Sequence, residues 1–263
     1  MKIYFLGDVG DFNEETLKIL NNIKNDKSEK TIILLGDNFY PGGVKSVKDP
    51  KWNIIKDLQF ECQIFSVLGN HDYFGDPKSQ IQFKEANWNL PNYFYKKTIE
   101  YIDFFFIDTS IIQPDYSNLN YFIVKSKIDK EPLEFGKEIL AWLDNELRNS
   151  TNIKIVVGHY PICSFGAYGI NKKLFTKLFP YFLKHNVKYY ISGHDHNLQI
   201  IDIISDNFEM KQVVSGATSH LYPIIKNSTN KAFSEFGTVS INTKTKLINI
   251  LNSDLEILYQ EKI

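Results

Sequence analysis

Residues Thr31-Ile32-Ile33-Leu34-Leu35-Gly36-Asp37-Asn38-Phe39-Tyr40 pass without a break from an apolar run into a glycine, a carboxylate and two aromatics. A β-branched and leucine run that stops at Gly-Asp reads as a buried strand ending in a tight turn, with the carboxylate at the strand's C-terminal edge. Open α/β sheets keep their ligands at that edge. Other runs end in the same way: Ile3 to Leu6 in Gly7-Asp8, Ile64 to Leu68 in Gly69-Asn70-His71-Asp72, Ile153 to Val157 in Gly158-His159, and Lys188 to Ser192 in Gly193-His194-Asp195-His196. The shared ending predicts one polar site built along a common sheet edge.

The 263 residues are 43% apolar and 23% charged, the composition of a folded globule, and the absence of a linker-like shift points to a single domain over 1–263. Thirty basic and 31 acidic residues leave a formal charge of −1, so no global field recruits nucleic acid or an anionic membrane, and an anion must be drawn by local charge. No apolar stretch is long enough to span a bilayer. The chain opens on the first strand without a secretion signal, which predicts a cytoplasmic location, or a secreted or lysosomal one if this is a mature form. Cys62 and Cys163 are too few for a disulfide framework, and a reduced pair is the default.

Along the chain, the spacing of Leu17, Leu20 and Ile23 predicts a helix from Asn13 to Asn25, and shorter helices follow near Trp52 to Leu58 and Lys78 to Trp88. Phe104 to Ile107 reads as a further buried strand. Gln113 to Pro132 shows no sustained period and reads as a lid or binding loop, with Tyr116, Tyr121 and Phe122 available to pack at a mouth. Phe135, Ile139, Leu143 and Leu147 mark a helix over Glu134 to Arg148. A helix over Asn171 to His185 contains Pro180, which predicts a kink or a new start there. Beyond the His pair, Ile200 to Ile204, Met210 to Val214, Thr238 to Ile241, Leu247 to Leu251 and Leu255 to Tyr259 are short runs between polar residues, an antiparallel ending on a parallel beginning. The expected fold is α/β, two mixed sheets packed face to face with helices outside.

The strand ends carry Asp8, Asp37, Tyr40, Asn70, His159, His194 and His196. Carboxylate, imidazole, amide and phenolate donors suit hard to borderline first-row metals, and so many side chains exceed one ion's needs unless one of them bridges two. Asp37 is the natural bridge. Two ions about 3.5–4 Å apart clamp a phosphoryl group and generate hydroxide near neutral pH.

Taken together, the motifs GD at 7–8, GDNFY at 36–40, GNHD at 69–72, GHYP at 158–161 and GHDHNLQ at 193–199 resemble those of the calcineurin-like metallophosphoesterases. Within them the chain is most similar to the purple acid phosphatases of the small tartrate-resistant type. The resemblance implies a four-layer αββα sandwich and hydrolysis of phosphate monoesters by in-line attack of metal-bound hydroxide, with no phosphoenzyme. Most relatives of this fold have a His two positions after the first Asp, where this chain has Gly10; Tyr40 would fill that place, a hard anionic donor for ferric iron. The resemblance further implies a ferric site of Asp8, Asp37, Tyr40 and His196, and a second site of Asp37, Asn70, His159 and His194 for divalent iron, zinc or manganese. His71 matches the residue that contacts phosphate and assists the leaving group, a task suited to an imidazole of ordinary pKa near about 6.5 in mild acid. The implied substrates are small phosphorylated molecules or phosphoproteins.

Departures accompany the matches. Tyr168 stands where the animal enzymes have a second His thought to protonate the leaving group, and a phenol of pKa about 10 is a poor proton source there. The 113–132 segment occupies the place of a repressive loop in that group but does not match its residues. Two other readings compete: a phosphodiesterase or nucleotide hydrolase of the same superfamily, and a catalytically silent docking scaffold, which predicts lost ligands. Asp72, Asp195, Asp11 and Asp108 are expected to orient ligands or shape turns, His185 to be a structural histidine, and His220 to be structural or to line the mouth. Cys163 reads as a small apolar filler, and the sequons at 149–151 and 227–229 as chance in an Asn-rich chain.

Overall fold

A computed structural model of the chain describes residues 1–113, 119–205, 207–225 and 231–263. The strands are β1 (Lys2–Leu6), β2 (Lys30–Leu34), β3 (Ile64–Ser66), β4 (Trp88–Asn89), β5 (Phe94–Ile99), β6 (Ile102–Ile107), β7 (Ile153–Val157), β8 (Tyr189–Ser192), β9 (Leu198–Ser205), β10 (Phe208–Ser215), β11 (Ala232–Phe233), β12 (Gly237–Asn242), β13 (Leu247–Asn252) and β14 (Ile257–Lys262). The helices are α1 (Glu14–Asn25), α2 (Trp52–Leu58), α3 (Pro77–Gln82), α4 (Thr109–Ile112), α5 (Leu119–Lys125), α6 (Pro132–Asn149) and α7 (Lys172–His185).

Two mixed sheets result, one ordered β14-β13-β12-β1-β2-β3-β4 and the other β11-β9-β10-β8-β7-β6-β5. In each, a parallel block, β1 to β4 and β6-β7-β8-β10, is extended by antiparallel strands. Alternation within the strands explains the layering. Ile3, Phe5, Ile33 and Leu35 face Phe104, Phe106, Ile155, Val157 and Ile191 in a core between the sheets. The residues between them, Tyr4, Leu6, Ile32, Leu34, Phe105, Val156 and Tyr190, join the buried stripes of α1, α6 and α7 on the outside. Strands apolar on both faces are what a sheet covered on both sides requires.

Local chemistry sets the element ends. Asn13 caps α1, its side chain accepting from the Thr16 N–H at 3.0 Å. The stripe Phe135, Ile139, Leu143 and Leu147 is buried on α6 as its spacing predicts, and Pro180 lies inside α7.

Some expectations are corrected. The helix predicted to reach Trp88 ends at Gln82, because Ala86 and Asn87 adopt positive φ and Trp88 instead pairs in parallel with Ile64. The segment read as an aperiodic loop contains α5, which buries only Tyr121 and Val124, too short a stripe for a period to show. Tyr121 is buried and Phe122 exposed, their rings meeting edge to face at 5.4 Å; Tyr116 and the 227–229 sequon lie outside the described residues. Leu255 sits in a turn at φ 63° rather than in a strand. Strand β5 went unread because its burial does not alternate cleanly.

Candidate metal centre

The polar strand ends do converge, but across two sheets instead of along one edge. Asp8, Asp37 and Asn70 follow β1, β2 and β3 of the first sheet, whereas His159 follows β7 and His194 and His196 follow β8 of the second. Three of these residues occupy left-handed backbone, Asp8 at φ 62°, Asp37 at 52° and His194 at 66°. Such conformations are costly for non-glycine residues and persist where the surrounding structure fixes them, commonly at functional sites. The glycine before each allows the close approach. A Cβ on Gly36 would meet the Gly69 nitrogen at 2.6 Å and His159 Nδ1 at 2.8 Å.

The donor atoms form two groups that share Asp37. On one side the Tyr40 hydroxyl lies 3.0 Å from Asp37 Oδ2, 3.1 Å from Asp8 Oδ1 and 3.4 Å from His196 Nε2, and His196 Nε2 lies 3.3 Å from Asp8 Oδ1. On the other side His159 Nε2 lies 3.1 Å from Asn70 Oδ1, 3.2 Å from His194 Nδ1 and 3.5 Å from Asp37 Oδ1. The ligating atoms of Asp37, His159 and His194 all fall within 4.8 Å of one another, a spacing that suits a metal ion.

The chemistry of the donors fits a cation better than it fits mutual hydrogen bonding. His159 donates Nδ1–H to the Leu35 carbonyl at 2.8 Å, so in its neutral form Nε2 presents a lone pair to the amide oxygen, the carboxylate and the second imidazole around it. Burial and the neighbouring His159 push His194 well below the ordinary imidazole range. Burial, reinforced by Asp8 against the pull of His159, lifts Asp37. Asp8 is lowered despite its burial, because it is paired with His196. Burial and the Asp8 and Asp37 charges raise Tyr40 far above an ordinary phenol, so only a bound cation would make it a phenolate. Clustered donors of this kind, two carboxylates among them, could hold a metal ion.

The supports explain why the loops hold their shape. Phe39 packs against Trp52 at 4.9 Å, edge to face, and Trp52 stacks on Phe83 at 3.7 Å, which anchors the turn carrying Asp37 and Tyr40. Asp72, expected to orient ligands, is fully buried and accepts from the Gly69 N–H at 2.8 Å, the Asn38 N–H at 3.2 Å and Gln80 Nε2 at 2.8 Å, tying the β2 loop to the β3 loop. Gln80 was invisible in the sequence, where nothing links it to the site. Asp108 caps α4, whose Thr109 hydroxyl accepts from the His159 N–H at 3.2 Å. At Gly10 a Cβ would lie 2.5 Å from the Tyr40 nitrogen, so a side chain there would collide with the Tyr40 loop. His185 pairs with Asp144 at 2.6 Å, away from these groups, in the structural role expected of it.

The calcineurin-like phosphoesterase family model matches residues 1–198, and those residues carry every donor named above. The chain belongs to the calcineurin-like phosphoesterase family. Among curated proteins it is related to the tartrate-resistant and purple acid phosphatases. It is 32% identical over 207 residues to tartrate-resistant acid phosphatase type 5 of Oryctolagus cuniculus, covering 73% of this chain and 62% of that protein. It is 30% identical over 212 residues to purple acid phosphatase 7 of Arabidopsis thaliana, covering 74% of this chain and 63% of the relative. The chain thus spans about three fifths of the length of these two relatives. Among solved structures the fold is similar to GAP50, described as the anchor in the inner membrane complex of Plasmodium, with a TM-score of 0.80 at 24% identity, covering 100% of this chain and 88% of that one.

In this member of the family the mouth over the donors is aromatic. The Tyr40 ring is met edge-on by His71 at 4.7 Å and by His220 at 5.4 Å, which places His220 at the mouth, opposite Asp11 at 3.6 Å. His71 donates Nδ1–H to the Pro41 carbonyl at 2.8 Å, which turns Nε2 toward Asp37 Oδ2 at 4.0 Å. Tyr168 lies over His194 with ring centres 4.3 Å apart, and burial, Tyr222 and Asp195 push its hydroxyl up to about 12. Asp195 fastens the Tyr168 loop, accepting from the Ser164 hydroxyl and from Asn197 Nδ2 at 3.0 Å. Tyr222, unmarked by any sequence signal, stacks on His196 at 4.3 Å. Cys62 and Cys163 are both free and partly buried. No helix among the described residues is long and apolar enough to cross a membrane.

Proposed function

We propose that this chain hydrolyses phosphate monoesters with a binuclear metal centre of the acid phosphatase type. The division of the Asp37 carboxylate carries the reading: Oδ2 belongs to the Tyr40 group at 3.0 Å and Oδ1 to the His159 group at 3.5 Å, the arrangement expected of a bridging ligand. In this reading Asp8, Asp37, Tyr40 and His196 hold ferric iron, and Asp37, Asn70, His159 and His194 hold a divalent iron, zinc or manganese. When bound, such a pair neutralises phosphate charge and makes water nucleophilic near neutral pH.

The protein's own groups do the rest. The Pro41 carbonyl fixes the His71 ring, so that Nε2–H, when protonated, is presented at the mouth for a phosphoryl oxygen or the departing oxygen. Asp72 and Gln80 hold the Asp37 and Asn70 loops in register, and Phe39 with Trp52 holds Tyr40. Water attacks phosphorus in line with the leaving oxygen, the P–O bond to that oxygen breaks, and no phosphoenzyme forms. The expected substrates are small phosphorylated molecules or phosphoproteins.

Metal analysis with a visible spectrum tests the reading. About two ions per chain and a tyrosinate-to-iron band that disappears in Tyr40→Phe are expected. A colourless protein holding one ion or none would overturn it. Faster turnover of bis(p-nitrophenyl) phosphate than of p-nitrophenyl phosphate would favour the diesterase alternative. Retention of the full donor set speaks against a silent scaffold.

A further inference from the structure

Strand β10 runs parallel to β8 as its neighbour, so the segments that leave these two strands emerge at the same sheet edge. The segment after β8 carries His194 and His196, and the segment after β10 carries His220 and Tyr222. This later segment is fastened along its length. Asn13 Nδ2, at the cap of α1, donates to the Ser219 carbonyl at 2.7 Å, and the Thr16 hydroxyl donates to the Thr218 carbonyl at 3.2 Å. The Ser219 hydroxyl donates to the Asp8 carbonyl, and the Tyr222 N–H donates to the carbonyl of His196 itself at 2.7 Å. Two rings are thereby laid nearly parallel to the His196 imidazole, Tyr222 at 4.3 Å and 25°, and His220 at 5.3 Å and 20°.

An imidazole that binds metal through one nitrogen is commonly oriented by a hydrogen bond at the other. His159 has such a bond, from Nδ1–H to the Leu35 carbonyl at 2.8 Å. His196 is held differently. Its Nε2 faces Asp8 at 3.3 Å and Tyr40 at 3.4 Å, while its Nδ1 is buried with no hydrogen-bond partner among the described residues. We propose that Tyr222 is a positioning residue for His196, its ring fixing the imidazole plane in place of a hydrogen bond at Nδ1, and that it sets how tightly the Tyr40 side of the donor cluster holds a cation. This rests on the binuclear reading and deepens it. A cation at Nε2 draws electron density out of the imidazole, and the negative face of the phenol ring beside it offsets that loss. The stack therefore favours the occupied form of this position, and by linkage occupation favours the stack. The effect is confined to one side, because Tyr222 lies on His196, whereas His194 on the other side is covered by Tyr168 at 4.3 Å.

Metal competition isolates this role. Tyr222 is 36% exposed, so its replacement leaves the core packing intact. In Tyr222→Leu, ferric iron is expected to bind at least about 10-fold more weakly in competition with a chelator, the low end of the cost of losing an outer-shell partner. The tyrosinate-to-iron band is expected to shift, with divalent-ion affinity and Tm unchanged. Tyr222→Phe, which keeps the ring and drops the hydroxyl, is expected to match the wild type. Wild-type iron affinity and band position in Tyr222→Leu overturn the inference, and so does loss of both ions together, the mark of a general loosening. Weakened iron binding in Tyr222→Phe also overturns it and assigns the role to the hydroxyl. Each of these outcomes leaves the binuclear reading standing, whereas a wild type that binds no pair of ions overturns both.

Discussion

Asp37 Oδ1 lies 3.5 Å from His159 Nε2, although the two residues end strands of different sheets. Here, as where Asp8 meets His194 and His196, the two sheets are joined by polar side chains instead of apolar packing. Asp37→Asn removes the charge from a shared donor while keeping its shape. It should lower metal content by about one ion per chain or more, read by elemental analysis, and lower kcat by at least about 100-fold, beyond what losing an outer-shell partner costs.

The His71 imidazole nitrogen Nε2 lies 4.0 Å from Asp37 Oδ2, and it is the backbone N–H of His71 that donates to Asp37 Oδ1, at 2.9 Å, a bond any residue but proline can make at this position. Replacing it should therefore spare the metals. His71→Asn is expected to lower kcat on p-nitrophenyl phosphate by about 100-fold, the low end of a proton-transfer contribution, with unchanged metal content. Loss of metal alongside activity would reassign His71 to the donor set.

Tyr168 covers His194 with a hydroxyl pushed up to about 12, a poor proton source in mild acid. Tyr168→His should raise kcat on alkyl phosphates, whose leaving groups need a proton, more than on p-nitrophenyl phosphate. An unchanged or lower ratio of the two rates would remove this role.

Trp52 is 1% exposed, stacked on Phe83 and edge to face with Phe39. Trp52→Ala should destabilise the fold by about 3–5 kcal/mol in urea titrations. It should also loosen the Tyr40 turn, weakening any iron band before the protein unfolds.

Asp103 gives a pH test remote from the donor cluster. Its burial alone would raise its pKa, but hydrogen bonds from Ser150, Thr98 and Asn152 and the Lys96 ammonium prevail and hold it at about 2. A carboxylate depressed on folding adds stability that is complete above its unfolded pKa, near about 3.9, and is lost as pH falls through the folded value. The Tm gap between wild type and Asp103→Asn should be full at pH 6 and narrow between pH 4 and pH 2. A gap independent of pH would show that the hydrogen bonds act without the charge.

The sequence by itself determined which residues stand at the strand ends. Apolar runs stopping at Gly-Asp or Gly-His specify buried strands and sharp turns through local sterics and hydrophobic burial, and both can be read within a few residues. The exchange of a ligand at Gly10 for one at Tyr40 was legible only through the resemblance to a family, and the structure adds a steric constraint in the 2.5 Å approach of a Gly10 Cβ to the Tyr40 nitrogen. Only the tertiary structure decided that the donors belong to two sheets and that Gln80 and Tyr222 serve the site. Those relations depend on how separate layers pack, and layer packing joins residues far apart in the chain whose spacing leaves no periodic trace in the sequence.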